Sequence, residues 1–232
     1  MRILAMTVQD LHAAMKTLPF LALSLLVSLA PITSPLRAEP SAQEQQLLDS
    51  KDCFRCNLDG AALKEADLIY ANLGSASLNN VDLSDADLRF ANLSGAQLKR
   101  ANLYRAGMNY AVLAQASLWQ SNLARAFLAN ADLRKTDLRS ANLSGIKLWN
   151  ANLQDADLRQ ANLQKAILTN AKLERARLDR ADLRGAVLSR ANLQSASLYR
   201  SQIDKSALKA ALLCETTLPD GSLSNRDCAT ED

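Results

Sequence analysis

The chain reads as an all-β solenoid, on three observations. First, residues 56–225 are one unbroken run of a five-residue phrase, as in Ala151-Asn152-Leu153-Gln154-Asp155 followed by Ala156-Asp157-Leu158-Arg159-Gln160. Of the 34 phrases, 32 carry Leu at the third position, with Met108 and Ile203 in the others, and 25 carry Ala at the first. Second, that period suits neither common element. At about 100° per residue a helix would turn each successive Leu by about 500° and scatter them round every side, while a strand would send residues five apart to opposite faces. A short extended edge followed by a corner, repeated, points every Leu and the small residue two before it inward. Third, no proline stands between Ser41 and Leu218, as a coil whose edges all donate and accept backbone bonds requires.

The second position is Asn or Asp in 16 phrases, and the last two positions vary freely and are mostly polar. A small residue, Asn or Asp, Leu, then two variable residues is a phrase that resembles the pentapeptide-repeat family. The resemblance covers about three quarters of the chain. It implies a right-handed quadrilateral β-helix with four phrases per turn. Residues recurring every twenty support that turn. Asn102, Asn122, Asn142 and Asn162 form one column and Tyr70, Phe90 and Tyr110 another. Stacked coils set such side chains about 4.7–4.9 Å apart, where amides ladder and rings stack. About eight coils then make a rod about 40 Å long.

In chain order, residues 1–38 read as a secretory signal peptide: a thirteen-residue apolar run at 18–30, then Leu36-Arg37-Ala38 at a plausible cleavage point. Translation from Met15 gives the better-proportioned leader. The alternative is an uncleaved anchor. Residues 39–55 form the N-terminal cap, with a helix over 41–49 that opens on a Ser41/Glu44 capping box and offers Leu47 and Leu48 to cover the first coil. Residues 56–225 are the array and 226–232 a C-terminal tail. Around 206–213 the phrase also fits a helical turn, and residues 217–222 signal a turn that ends the last coil.

The cysteines are Cys53, Cys56, Cys214 and Cys228. The Cys53-x-x-Cys56 spacing admits a redox pair or a metal ligand pair, but the motif runs straight into the first phrase rather than a strand-to-helix turn, and the other two cysteines lie at the far end of the rod. A structural disulfide at each end is expected, and with it an exported, oxidising compartment: periplasm, or thylakoid lumen in a photosynthetic source.

Composition narrows the function. Without residues 1–38 the chain keeps 24 Lys+Arg against 23 Asp+Glu, because Arg2, Lys16, Arg37 and Asp10 leave with them; so does His12, the only histidine. Near-neutrality argues against nucleic-acid binding. No glycine-rich phosphate loop or convergent triad stands out, and a core of Ala and Leu leaves no room for a substrate. The second-position carboxylates, Asp132, Asp137 and Asp157 among them, read as Asx-type backbone partners rather than catalytic or calcium-binding groups. No enzyme activity, cofactor, metal or small-molecule substrate is expected.

Sorted by the twenty-residue turn, one wall carries Ile69, Tyr70, Phe90 and Tyr110 and then Phe127, Trp149, Ile167 and Val187, with five of the array's eight aromatics. It is the candidate contact face for an unknown protein partner, for self-association or for a lipid surface; the alternative is that aromatics merely stack well in β columns. The wall around Leu58, Leu78 and Leu98 is basic, its arginines interleaved with Asp137, Asp157 and Asp179, and reads as solvated surface. A non-enzymatic structural or protein-interaction scaffold is the expectation. The alternative that the resemblance implies is a DNA mimic, like family members that inhibit DNA gyrase, a type II topoisomerase, from the cytoplasm with strongly acidic surfaces.

Overall fold

The computed structural model describes residues 40–228. The expected leader at 1–38, the start at Met15, the cleavage point and the tail end at 229–232 lie outside them. The molecule begins with helix α1 (Ala42–Ser50), which opens on the capping box: Ser41 Oγ accepts from the Glu44 N–H at 3.2 Å, and Glu44 Oε2 accepts from the Ser41 N–H at 2.5 Å. Leu47 is fully buried against the first coil. Leu48, expected to share that task, is more than one-third exposed, because adjacent helix positions lie about 100° apart and only one of them can face the opening.

From Asp52 onward the chain coils in turns of twenty residues. Parallel bridges link Asp52, Asn72, Asn92, Val112, Asp132, Asn152, Lys172, Asn192 and Leu212 in one column, which makes eight full turns. Three further columns, starting at Asn57, Ala62 and Asp67, complete a four-sided cross-section. The first coil therefore starts one phrase earlier than the sequence pattern shows, with Cys53 in the place of the core Leu. Bridged residues sit at second positions, and each edge is so short that, among the described residues, two-residue strands form only at β1 (Asp182–Leu183), β2 (Gln202–Ile203), β3 (Thr216–Thr217) and β4 (Leu223–Ser224).

One phrase shows why the coil closes. The Leu98 N–H donates to the Ser117 carbonyl one turn ahead at 2.7 Å, the Arg100 N–H to Trp119 at 3.0 Å, and the Gln97 N–H back to Ala76 at 2.9 Å. The Ala101 N–H turns the corner by donating to Leu98 at 3.1 Å. Only the fourth residue's N–H has no backbone partner, and a side chain accepts it. All 16 second-position Asn and Asp residues do so, from Asn57 to Asp59 through Asn192 to Gln194. Where the second residue is Ser77, Gln97 or Phe127, a fourth-position carboxylate or amide one coil below accepts instead: Asp59 from Asn79, Asn79 from Lys99, Asn109 from Ala129. A buried donor without a partner costs about 1–3 kcal/mol, so this side chain is part of the backbone's bonding.

The last two positions do not vary freely. Every fifth residue from Arg55 to Arg200 has positive φ, at 54–72°, as the third residue of a type II-like turn must. That conformation disfavours β-branched side chains, and no Val, Ile, Thr or Pro stands at any of these positions.

The interior is a single column of Leu and Ala at or near zero exposure, with Met108 in a Leu place. The inward hydroxyls of Ser121 and Thr136 donate to the carbonyls of Leu118 at 2.7 Å and Leu133 at 2.8 Å, whereas the buried Ser201 Oγ has no partner among the described residues. Toward the C-terminus β1 pairs with β2 in parallel. Then α2 (Lys205–Ala210) replaces one edge of the coil, and the chain rejoins the stack at the Asn192–Leu212 bridge. The antiparallel pair β3–β4 folds the tail back over the end.

Both ends are blocked. The Leu213 and Glu215 N–H groups, which in any earlier coil would bond to a next turn, donate to Asp227 Oδ2 at 2.8 Å and Asn225 Oδ1 at 3.0 Å. Arg226 Nη1 donates to the Leu208 carbonyl at 3.2 Å, and its Nη2 to that of Ala211. At the other end Gln43 Oε1 accepts from the Asn57 N–H at 2.6 Å. Cys53–Cys56 and Cys214–Cys228 are disulfide-bonded, with Cα–Cα distances of 5.2 and 4.7 Å.

Candidate functional site

Because first and third positions are consumed by the core, any recognition falls to the second, fourth and fifth side chains on the four walls. The eight residues expected as a contact face do share one wall, in two runs. Tyr70, Phe90 and Tyr110 stack along a corner column with centroids 5.0 and 5.1 Å apart and ring planes within 15° and 7° of parallel. They are exposed, Tyr70 by 70%. Ile69 is half-buried beside Tyr70. Farther along, Phe127, Lys147, Ile167 and Val187 occupy successive rungs of a bridge column, with Trp149 half-buried next to Lys147. The apolar surface thus shifts from a corner to mid-wall, and one cation interrupts it.

The columns of amides are built as ladders. Asn102 Nδ2 donates to Asp82, and the bond repeats upward through Asn122, Asn142 and Asn162 at 3.1–3.4 Å. Asn130, Asn150 and Asn170 form another.

The opposite wall, around Leu58 and Leu78, has more relief than its sequence indicates. Arg139 lies flat on Asp137 through Nε and Nη2, both at 2.7 Å, and Arg159 on Asp157 at 2.8 and 2.5 Å. The Arg139 hydrogen bonds hold the Asp137 carboxyl below the ordinary carboxylate range. Burial pushes Asp157 up, but hydrogen bonds from Arg159 and the charges of Arg159 and Arg177 leave it below that range as well. The same Asp-Leu-Arg pairing recurs at Asp87/Arg89, Asp132/Arg134 and Asp182/Arg184. Exposed pairs of this kind stabilise little; what they fix is the position of the guanidinium.

With Arg139 and Arg159 held down, a depression of about 470 Å³ opens between Trp119 and Tyr199, which stand in one fourth-position column. A smaller one of about 290 Å³, lined by Asn79, Asn80, Lys99 and Arg100, lies on the other side of Trp119. Arg100 packs over the Trp119 ring at 5.4 Å and Arg200 over Tyr199 at 5.0 Å. Sequence reasoning passed over both aromatics; their common column, 80 residues apart, was the available signal. Among the described residues no group of three or more His, Cys, Asp or Glu could hold a metal ion, and no helix is long and apolar enough to cross a membrane.

A four-sided solenoid with a filled interior, its polar chemistry confined to repeat-spaced columns outside, defines the class. The profile for Pentapeptide repeats matches residues 52–85, 82–120, 111–150, 141–179 and 171–209, and the chain belongs to that family. Among solved structures it is similar to HetL, a pentapeptide repeat protein involved in heterocyst differentiation regulation from the cyanobacterium Nostoc sp. strain PCC 7120, with 36% identity over 75% of this chain and 81% of that one, at TM-score 0.44. A trypsin-treated form of QnrB1, a plasmid-mediated fluoroquinolone resistance protein, aligns at TM-score 0.55 and 21% identity over 77% of this chain and 83% of that one. That likeness is one of fold. A pentapeptide repeat protein from the Arabidopsis thaliana thylakoid lumen matches at 27% identity over 48% and 61% of the chains, with TM-score 0.18. No curated protein sequence matches significantly.

Proposed function

We propose that the protein is a non-enzymatic interaction scaffold of an exported, oxidising compartment, periplasm or thylakoid lumen, and that the wall bearing Tyr70, Phe90, Tyr110, Phe127, Trp149, Ile167 and Val187 docks a protein partner or a second copy. The observation that carries this reading is the division of labour within the phrase. Core positions are filled to near-zero exposure, the second-position Asn and Asp are committed to the backbone, and Tyr70, Phe90, Tyr110, Phe127 and Val187 bring exposed large apolar side chains to one wall, while Phe54, Val112, Tyr199 and Leu212 expose theirs singly elsewhere. Two disulfides at opposite ends of the stack favour an oxidising compartment. The right-handed sense of the coil is taken from the family.

The mimicry of DNA has less support, because the five Asp-Leu-Arg carboxylates are neutralised by their own arginines. Replacing Phe90, Tyr110 and Trp149 together by Ser should abolish partner capture or self-association in pull-down and sedimentation, without lowering the unfolding midpoint. Unchanged capture and sedimentation would remove the docking wall, and inhibition of gyrase supercoiling by the purified protein would favour the mimic.

A further inference from the structure

The trough on the wall opposite the apolar one has a composition of its own. It runs along the rod axis, and its two aromatic posts, Trp119 and Tyr199, stand four coils apart, about 19 Å. Its volume of about 470 Å³ falls in the ~300–1,000 Å³ range of small-ligand sites. The floor is polar. In Arg139 and Arg159, which both line the trough, Nε and Nη2 are bonded to Asp137 and Asp157, and Nη1 has no hydrogen-bond partner among the described residues. Beside them Ser140 Oγ donates to Gln160 Oε1 at 3.3 Å, and Gln160 Nε2 has no hydrogen-bond partner among the described residues. Donors fixed in this way lose little freedom when a ligand arrives.

We propose that this trough binds an acidic oligosaccharide laid along the rod. Three features select that chemistry. The aromatic rings at the two ends offer faces to the apolar C–H side of pyranose rings. The unpaired donors of Arg139, Arg159 and Gln160 along the trough match neighbouring hydroxyls, which donate and accept in pairs. Cations without an ion pair among the described residues flank the posts: Lys99 and Arg100 beside Trp119, and Arg180 and Arg200 beside Tyr199. These suit uronate carboxylates.

The site lies on a different wall from the proposed docking face, so the two readings stand or fall separately. The chain has two tryptophans, and Trp149→Phe leaves Trp119 as sole reporter. In that background, tetragalacturonate should change Trp119 fluorescence saturably, and cellotetraose should bind at least tenfold more weakly. By calorimetry, Trp119→Ala and Arg180→Ala should each weaken the uronate at least tenfold with an unchanged unfolding midpoint, whereas Phe90→Ser with Tyr110→Ser should leave it unaffected. The proposal is overturned if neither sugar binds, if Trp119→Ala binds as well as the parent, or if cellotetraose binds equally. It is also overturned if sulfate or a thymidine tetranucleotide displaces the uronate at equal concentration.

Discussion

A single side chain in this array answers to the backbone before it answers to solvent. Lys135 is an exposed fifth-position residue at φ 57°, and beyond that angle its charge acts only at a distance, on Asp155. Lys135→Gly should be neutral to stabilising, since glycine escapes a left-handed cost of about 1–2 kcal/mol against its own loss of chain entropy. Lys135→Val should destabilise, because a β-branched side chain is an outlier at positive φ, read as a lowered midpoint in urea unfolding. Equal midpoints would mean that the corners tolerate β-branching. The carboxylates give a second expectation. Hydrogen bonds from Arg89, Arg134 and Arg139 hold Asp87, Asp132 and Asp137 below their ordinary range. For a lowered carboxylate the stabilisation is complete above the unfolded value, about 3.9, and is lost as pH falls toward the folded one. The thermal midpoint should hold from pH 7 to about 5 and then drop below about 4, and Asp137→Asn should flatten part of that drop. A midpoint independent of pH in the acid range would show that these pairs contribute nothing.

Among the elements, the two caps do different work. Cys53 and Cys56 both point into the core, and their bond closes a sequence separation of only 3, so it rigidifies a corner and removes little chain entropy. Cys214–Cys228 closes a separation of 14 and ties the β3–β4 hairpin and the Asn225–Asp227 side chains over the last coil. On loop length this bond contributes about 3 kcal/mol. Cys214→Ser with Cys228→Ser should open the C-terminal end first, seen as rapid amide exchange at Leu213 and Glu215 while the middle coils stay protected. Uniform loss of protection would mean that the stack unfolds as one unit.

At the scale of the molecule, much of the architecture was legible because one rule repeats: third-position Leu fixed the core, and the Asn102 and Tyr70 columns pointed to the twenty-residue turn. What escaped was whatever depends on the coil's three-dimensional neighbours. Cys53 stood in a core place that only its bridge to the next coil reveals, and the end cap depends on tail residues that meet Leu213 and Glu215 only after the chain folds back. The trough between Trp119 and Tyr199 was hidden for the same reason, since it exists only because Arg139 and Arg159 lie down on their aspartates. The twenty-residue turn places Tyr70 through Val187 on one wall from the sequence alone, whereas the shift of those side chains from corner to mid-wall shows only in the folded coil.

Parallel bridging at intervals of twenty residues also governs how such a gene can change length. Excision of one complete circuit from mid-array would yield a shorter rod whose four sides keep their identities. Loss of a single phrase would rotate all that follows by a quarter turn, bringing different sides into line and scrambling any ligand footprint that crosses the junction, although the hydrophobic interior would remain continuous.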